Sequence, residues 1–123
     1  FEALRLKEVP PEVLNKYFHE DKGRYQVIEP IRHLVEFRQH NILTASNYPP
    51  ADLILCRNVM IYFTREEQER ILSRFAATLP EHGALVLGRS ETMTGDIRRC
   101  YQSEFPVERV YRRTAEPVTV ADI

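Results

Sequence analysis

The stretch "ADLILCRNVMIYFTREEQERILSRFAATLPEHGALVLG", residues 51–88, carries the strongest structural signals in the chain. Behind Asp52, the residues Leu53, Ile54, Leu55 and Cys56 form a continuous apolar run. Such a run is expected of a strand over 52–56, buried on both faces of a parallel sheet. Thr64 followed by Glu67 makes a capping box, in which each side chain satisfies the other residue's backbone N–H. From there Ile71, Leu72, Phe75, Ala76 and Leu79 recur at helical spacing and form one apolar stripe. Pro80 and Gly83 end that helix, predicted over 64–79. "ALVLG" (84–88) is a second buried strand. Strand, capped helix and strand make a βαβ unit, so the predicted class is α/β with 52–56 and 84–88 in one sheet. In such sheets ligands bind beyond the carboxyl ends of the strands. Arg57-Asn58 stands at one such end and Arg89-Ser90-Glu91 at another.

Outward from this core the signals are shorter. "VPPEVLNKYF" (9–18) predicts a helix, with prolines suited to its start and Val13, Leu14, Tyr17 and Phe18 on one face. "KGRYQVI" (22–28) has a glycine turn followed by β-prone residues. "IRHLVEFR" (31–38) alternates apolar and polar residues and predicts a strand, with Pro30 limiting where its ladder begins. "SNYPP" (46–50) and "RSETMTGD" (89–96) read as loops. "VERVYRR" (107–113) predicts a last strand, antiparallel to 84–88 because no helix-length amphipathic segment separates them. Residues 114–123 carry no periodic pattern and are expected to be a flexible tail.

The bulk numbers exclude several classes. The chain has 123 residues, 43% hydrophobic and 28% charged, with a formal net charge of −1 and a pI of about 6.5. That is the composition of one globular domain with a real core. It calls for no nucleic acid and no anionic membrane as partner. No apolar run approaches the roughly 20 residues that span a bilayer. Cys56 and Cys100 show no metal-ligand spacing, so no metal is expected. They read as reduced thiols of a cytoplasmic protein. The chain opens on Phe1, not Met, which suggests a piece of something longer.

"ADLILCRNVMIYF", the capped helix and "GALVLGRSE" together resemble the CheR-type enzymes, the chemotaxis-receptor glutamate methyltransferases. The likeness extends upstream through "YFHEDKGRYQVIEPIRHLVEFRQHNIL" (17–43) and downstream to "VERVYRR" (107–113). Arg89 departs from the family pattern, in which histidine is usual before the Ser-Glu pair. The chain has 4 glycines and no GxGxxG, so the family's glycine-rich cofactor loop is absent. The resemblance therefore implies that residues 1–123 are the C-terminal half of a class-I, Rossmann-like methyltransferase domain. It implies a small antiparallel β-subdomain insert at about 17–38, which docks the receptor's tail in some members. It also implies S-adenosyl-L-methionine (SAM) as methyl donor and a methyl-accepting chemotaxis receptor as partner, with glutamate γ-methyl esters as product. By the same resemblance Asn41, Ile42, Arg57 and Asn58 border the cofactor, and Arg57 and Tyr62 lie near the transferred methyl group. Alone, this chain is expected to bind SAM poorly and to transfer no methyl groups.

The chemistry suits these residue types. A glutamate side chain is ionised at neutral pH, with a pKa near ~4.3, so no general base is required. The carboxylate and a sulfonium cation cancel charge as the ester forms, which favours a partly dehydrated site. The protein must chiefly hold oxygen, methyl carbon and sulfur in line. An arginine can steer the carboxylate by charge-assisted hydrogen bonds, and a tyrosine hydroxyl can orient donor or acceptor. Two other readings use the same residues. One is a non-catalytic module that docks a receptor or signalling partner. The other is a methyltransferase of the same fold with another acceptor.

Overall fold

The computed structural model describes residues 1–44 and 48–118. The chain divides into two units, Phe1–Gln39 and His40–Ile123.

The first unit contains a 3-10 turn (Ala3–Leu6), helix α1 (Pro11–Tyr17), strands β1 (Phe18–Asp21) and β2 (Arg24–Val27), and a one-turn helix α2 (Glu29–Arg32). Proline at the start of α1 costs no hydrogen bond, because the first N–H groups of a helix have no internal partner. β1 and β2 pair antiparallel, with Asp21 opposite Arg24. Lys22 and Gly23 join them with φ of +52° and +76°, the positive-φ pair that matches the twist of a tight hairpin. This hairpin is the antiparallel element found within 17–38.

The strand predicted over 31–38 is not formed. Ile31 and Arg32 end α2, and His33 and Leu34 continue in turns. The physical reason lies at Glu29-Pro30. Proline in the first helical turn favours a helix start, and the Ile28 carbonyl accepts from both Ile31 N–H and Arg32 N–H. Two exposed local pairs lie along this segment, His33 with Glu29 at 3.2 Å and Arg38 with Glu36 at 2.8 Å. Alternation over so short a run needs a partner strand to become a ladder. Among the described residues none pairs with it, and Phe37 is 93% exposed.

The second unit is built on a mixed sheet. Its strands β3 (Leu53–Cys56), β4 (Ala84–Leu87), β5 (Tyr101–Phe105) and β6 (Val110–Arg113) lie in the order β3-β4-β6-β5. β3 and β4 are parallel, with Ile54 opposite Leu85 and Cys56 opposite Leu87. They are joined through a 3-10 turn (Met60–Tyr62) and helix α3 (Arg65–Thr78). β4–β6 and β6–β5 are antiparallel. The βαβ unit and the antiparallel last strand thus stand as predicted. β6 is shorter than expected because residues 106–109 form the turn from β5, with Arg109 at φ +61°. β5 had no sequence signal: of its five residues only Tyr101 is buried, so no apolar alternation marks it. Of the loop predicted at 46–50, residues 46 and 47 lie outside the described residues, and 48–50 have no regular structure. Of the expected tail, 114–118 are described without helix or strand, and 119–123 lie outside the described residues.

The capping box of α3 is present, with Thr64 N–H donating to Glu67 Oε1 (2.9 Å) and Glu67 N–H to Thr64 Oγ1 (3.2 Å). Its whole predicted stripe is buried, in one core with Cys56, Leu85, Leu87, Tyr101 and Tyr111. The buried Arg113 guanidinium joins α3 to the sheet's end. It donates to Ala76 O, Thr114 O and Glu116 O, each at 2.7 Å. Ala76 O is among the last carbonyls of α3, which have no partner within the helix, and a cation there is favourable. One expectation needs correction. β3 is not buried on both faces: Leu53 and Leu55 are 55% and 67% exposed, while Ile54 and Cys56 turn into the core. β3 is an edge strand here, and α3 covers one side only.

Candidate functional site

The chain leaves β3 at Cys56 and must turn at once to reach α3. Asn58 makes that turn in the left-handed region, at φ +61°, which Asn tolerates better than most residues. A buried carboxylate fixes the turn from another strand end. Glu91 Oε1 accepts from Asn58 N–H (2.8 Å) and Gly88 N–H (2.7 Å), and Oε2 accepts from Met60 N–H (2.7 Å). Among the described residues no cation pairs with Glu91. Its charge is balanced by three converging backbone dipoles, the arrangement of an anion nest. Gly88 makes the close approach possible. A Cβ there would stand 2.7 Å from Glu91 Oε1 and 2.9 Å from Asn58 N.

α3 holds the same segment from the other side. The Gln68 amide donates to Met60 O (2.8 Å) and Phe63 O (3.1 Å). Residues 58–63 are therefore pinned through their N–H groups by Glu91 and through their carbonyls by Gln68. Met60 is buried between these anchors, and Tyr62 projects outward, 79% exposed. Arg57 and Asn58 are exposed as well. The Cys56 thiol beneath the turn is pushed up to about 11, by burial first and by the nearby Glu91 charge second. It remains protonated and is packing, not a nucleophile.

The Asn41 turn is built differently. Asn41 Oδ1 accepts from Leu43 N–H (3.0 Å) and Thr44 N–H (3.3 Å), so the side chain folds its own backbone. Ile42 O accepts from the Tyr48 hydroxyl and from Arg74 Nη1, and Leu43 O also accepts from Arg74 Nη1. Tyr48 packs against Phe75, the rings tilted by 52° with centres 5.5 Å apart.

Between this turn and β3 lies a hollow of about 530 Å³. Ile42, Leu55, Val59 and Phe75 supply apolar wall; among the described residues Arg57 is the one arginine, lysine or acid in its lining. The structure thus brings Ile42 and Arg57 into one hollow. Asn41, Asn58 and Tyr62 are not in its lining, and no hydrogen bond joins Arg57 to Tyr62 among the described residues. Sequence reasoning placed Glu91 at a strand end but gave it no task, and it missed Gln68 and Gly88. The available signal was an acid three residues after a strand-ending glycine, "GRSE", in a chain whose other strand ends in an arginine-asparagine turn.

Residues 1–108 match the family described as CheR methyltransferase, SAM binding domain. Over 93 residues the chain is 41% identical to chemotaxis protein methyltransferase 2 of Pseudomonas aeruginosa, covering 71% of this chain and 33% of that protein. Over 104 residues it is 39% identical to the chemotaxis protein methyltransferase of Salmonella typhimurium, covering 80% and 36%. A Listeria monocytogenes chemotaxis protein methyltransferase is 34% identical over 91 residues, covering 74% and 35%. The chain spans about a third of the length of these curated relatives. The parallel strand pair, the anchored turn at its carboxyl end and the match over most of the chain agree, and the chain belongs to the CheR methyltransferase family through its SAM-binding domain.

Proposed function

We propose that the protein carrying this domain is a SAM-dependent methyltransferase that esterifies glutamate side chains of chemotaxis receptors. In this reading residues 1–123 supply the C-terminal part of its catalytic domain. The observation that carries the proposal is the Arg57-Asn58 turn, held rigid by Glu91 at the mouth of an apolar hollow, in a chain of this family. Among the described residues no helix is long and apolar enough to cross a membrane. In this reading the enzyme works in the cytoplasm, on the cytoplasmic part of a receptor.

The hollow suits the adenosine side of SAM. Its walls are largely apolar, it is the size of a small-ligand pocket, and Ile42 and Arg57 would hold the ligand, with Asn41 and Asn58 next to them in the chain. Among the described residues no acid lines it; in this reading a carboxylate for the ribose hydroxyls comes from another part of the family's domain. When bound, SAM supplies an electrophilic methyl group on a sulfonium. The remaining work is the protein's. Arg57 steers the acceptor carboxylate by charge-assisted hydrogen bonds. It must not grip too hard, since the acceptor oxygen sheds its charge as the ester forms. The Tyr62 hydroxyl orients the reacting atoms, on a backbone held by the Gln68 and Glu91 anchors.

In the full-length protein, Arg57→Ala should lower kcat by roughly tenfold to a hundredfold, the value of one charge-assisted hydrogen bond. Tyr62→Phe should do the same more mildly. S-adenosylhomocysteine affinity should change less than kcat in both variants. Normal turnover in both would remove these residues from the site. Residues 1–123 alone should bind S-adenosylhomocysteine only weakly. Micromolar binding by a monodisperse monomer would overturn the partial-domain reading.

A further inference from the structure

Helix α3 borders the hollow through Phe75 and Thr78, and its side chains reach both turns beside it. Gln68 holds the 60–63 turn. Further along the helix Arg74 holds the other: its Nη1 donates to Ile42 O (3.3 Å) and to Leu43 O. The Tyr48 hydroxyl donates to the same Ile42 carbonyl, and its ring packs against Phe75. Burial raises the Tyr48 phenol above its ordinary range, against the opposing pull of Arg74, so the hydroxyl keeps its proton and stays a donor. Arg74 is half-buried. Among the described residues no carboxylate pairs with it, and its buried Nε has no acceptor. Its charge faces the two turn carbonyls instead. Asn41 and Arg74 therefore do different work. Asn41 accepts from Leu43 N–H and Thr44 N–H, bonds that move with the turn and leave its place on α3 open. Arg74 lies 32 positions from Ile42, so its bonds exist only when the turn is docked on the helix.

We propose that Arg74 is a positioning residue for the cofactor: by fixing the Ile42 and Leu43 carbonyls on α3 it sets the wall against which the adenosine side of SAM packs. The proposal rests on the reading of this hollow given above and adds a residue to it. A wall ordered in advance spares the ligand the cost of ordering it, and the saving appears as affinity. Arginine suits the task, because one end of its guanidinium can donate to two carbonyls while its alkyl stem stays packed. In the same reading the chemistry at Arg57 and Tyr62 stands on the other turn, which Glu91 and Gln68 hold. Loss of Arg74 should then touch binding more than turnover.

The test measures S-adenosylhomocysteine binding by calorimetry, and methyl-transfer kinetics, on the full-length protein. Arg74→Met keeps a long apolar stem and removes the donors. It should weaken S-adenosylhomocysteine binding about tenfold and raise KM for SAM by a similar factor, with a smaller fall in kcat. Arg74→Lys should recover part of the loss, since an ammonium can still reach one carbonyl. Tyr48→Phe, which keeps the ring on Phe75, should weaken binding about threefold. Gln68→Leu should show the opposite split, with kcat falling more than affinity. Wild-type affinity in Arg74→Met, or the same split in Arg74→Met and Gln68→Leu, would overturn the assignment. If Arg74→Met does not fold, Tyr48→Phe decides, and unchanged affinity there overturns it. A wild type that binds no S-adenosylhomocysteine would overturn both the assignment and the reading of the hollow. If the affinities change as expected but no receptor glutamate is methylated, the glutamate reading fails and the role of Arg74 stands.

Discussion

Two turns border the candidate site, and they are held by opposite means. Residues 57–60 are fixed from outside, by a carboxylate 31 to 33 positions away in sequence. Residues 41–44 are folded by Asn41's own side chain, two and three positions away. The first anchor is buried and ionic. The second is exposed, so water can replace it when it is lost. A long-range anchor of this kind couples the turn to the whole sheet, since Glu91 can reach it only when β3 and β4 are paired. A local anchor survives independently of the fold. The turn that carries Arg57 should therefore be the more precise of the two and the more costly to disturb.

The largest expected effect is Glu91→Ala. It leaves three N–H groups without their acceptor, at about 1–3 kcal/mol for each one that stays dry. A total loss of about 3 kcal/mol or more in urea unfolding is expected, and a loss below about 1 kcal/mol would erase the distinction between the turns. Gly88→Ala comes next. The new Cβ must push against Asn58 N and Glu91 Oε1, and overpacking of this kind costs about 1–3 kcal/mol. Asn41→Ala should cost about 1 kcal/mol or less, because one exposed local cap is lost. If it proved as costly as Glu91→Ala, local and long-range anchoring would be equivalent here.

The smallest effect at neutral pH comes from the thiol beneath the pinned turn. Burial and the Glu91 charge raise the Cys56 thiol from its ordinary value of 9.0 to about 11. The folded state then holds this proton more tightly than the unfolded state. The thiol's contribution is complete below pH 9 and is lost as pH rises from there to about 11. Denaturant midpoints should fall over that range, and Cys56→Ala should flatten part of the fall. The buried Tyr101, also raised by burial and with its hydroxyl donating to Leu72 O (2.7 Å), should account for alkaline loss that persists. An identical pH profile with and without Cys56 would show that the thiol is not sealed under the turn.

Much of the site's frame was legible. The apolar runs, the capping box and the helical stripe are short-range signals, and each was where the sequence placed it. The strand predicted at 31–38 failed because alternation is only half of a strand's signal; the other half is a partner, which Leu34, Val35 and Phe37 do not have here. β5 failed in reverse: it has a partner in β6 but almost no buried face to announce it. Leu53 and Leu55 read as doubly buried because apolar character records what a residue tolerates, not which neighbours cover it.

The α/β class, the βαβ unit over 52–88, the position of Arg57-Asn58 at a strand's carboxyl end and the family likeness can all be read from residue order alone. The first three rest on apolar runs, a cap and a periodic stripe, which local propensity and periodicity make visible, and the likeness rests on motifs spread over 17–113. It takes the folded chain to see that Glu91 clamps the Asn58 turn, that Gly88 must lack a side chain, and that Ile42 and Arg57 share a hollow. Each of these depends on strands and turns meeting across the sheet. A carboxylate's partners are set by where the chain brings backbone N–H groups together in space, and no spacing along the sequence carries that information.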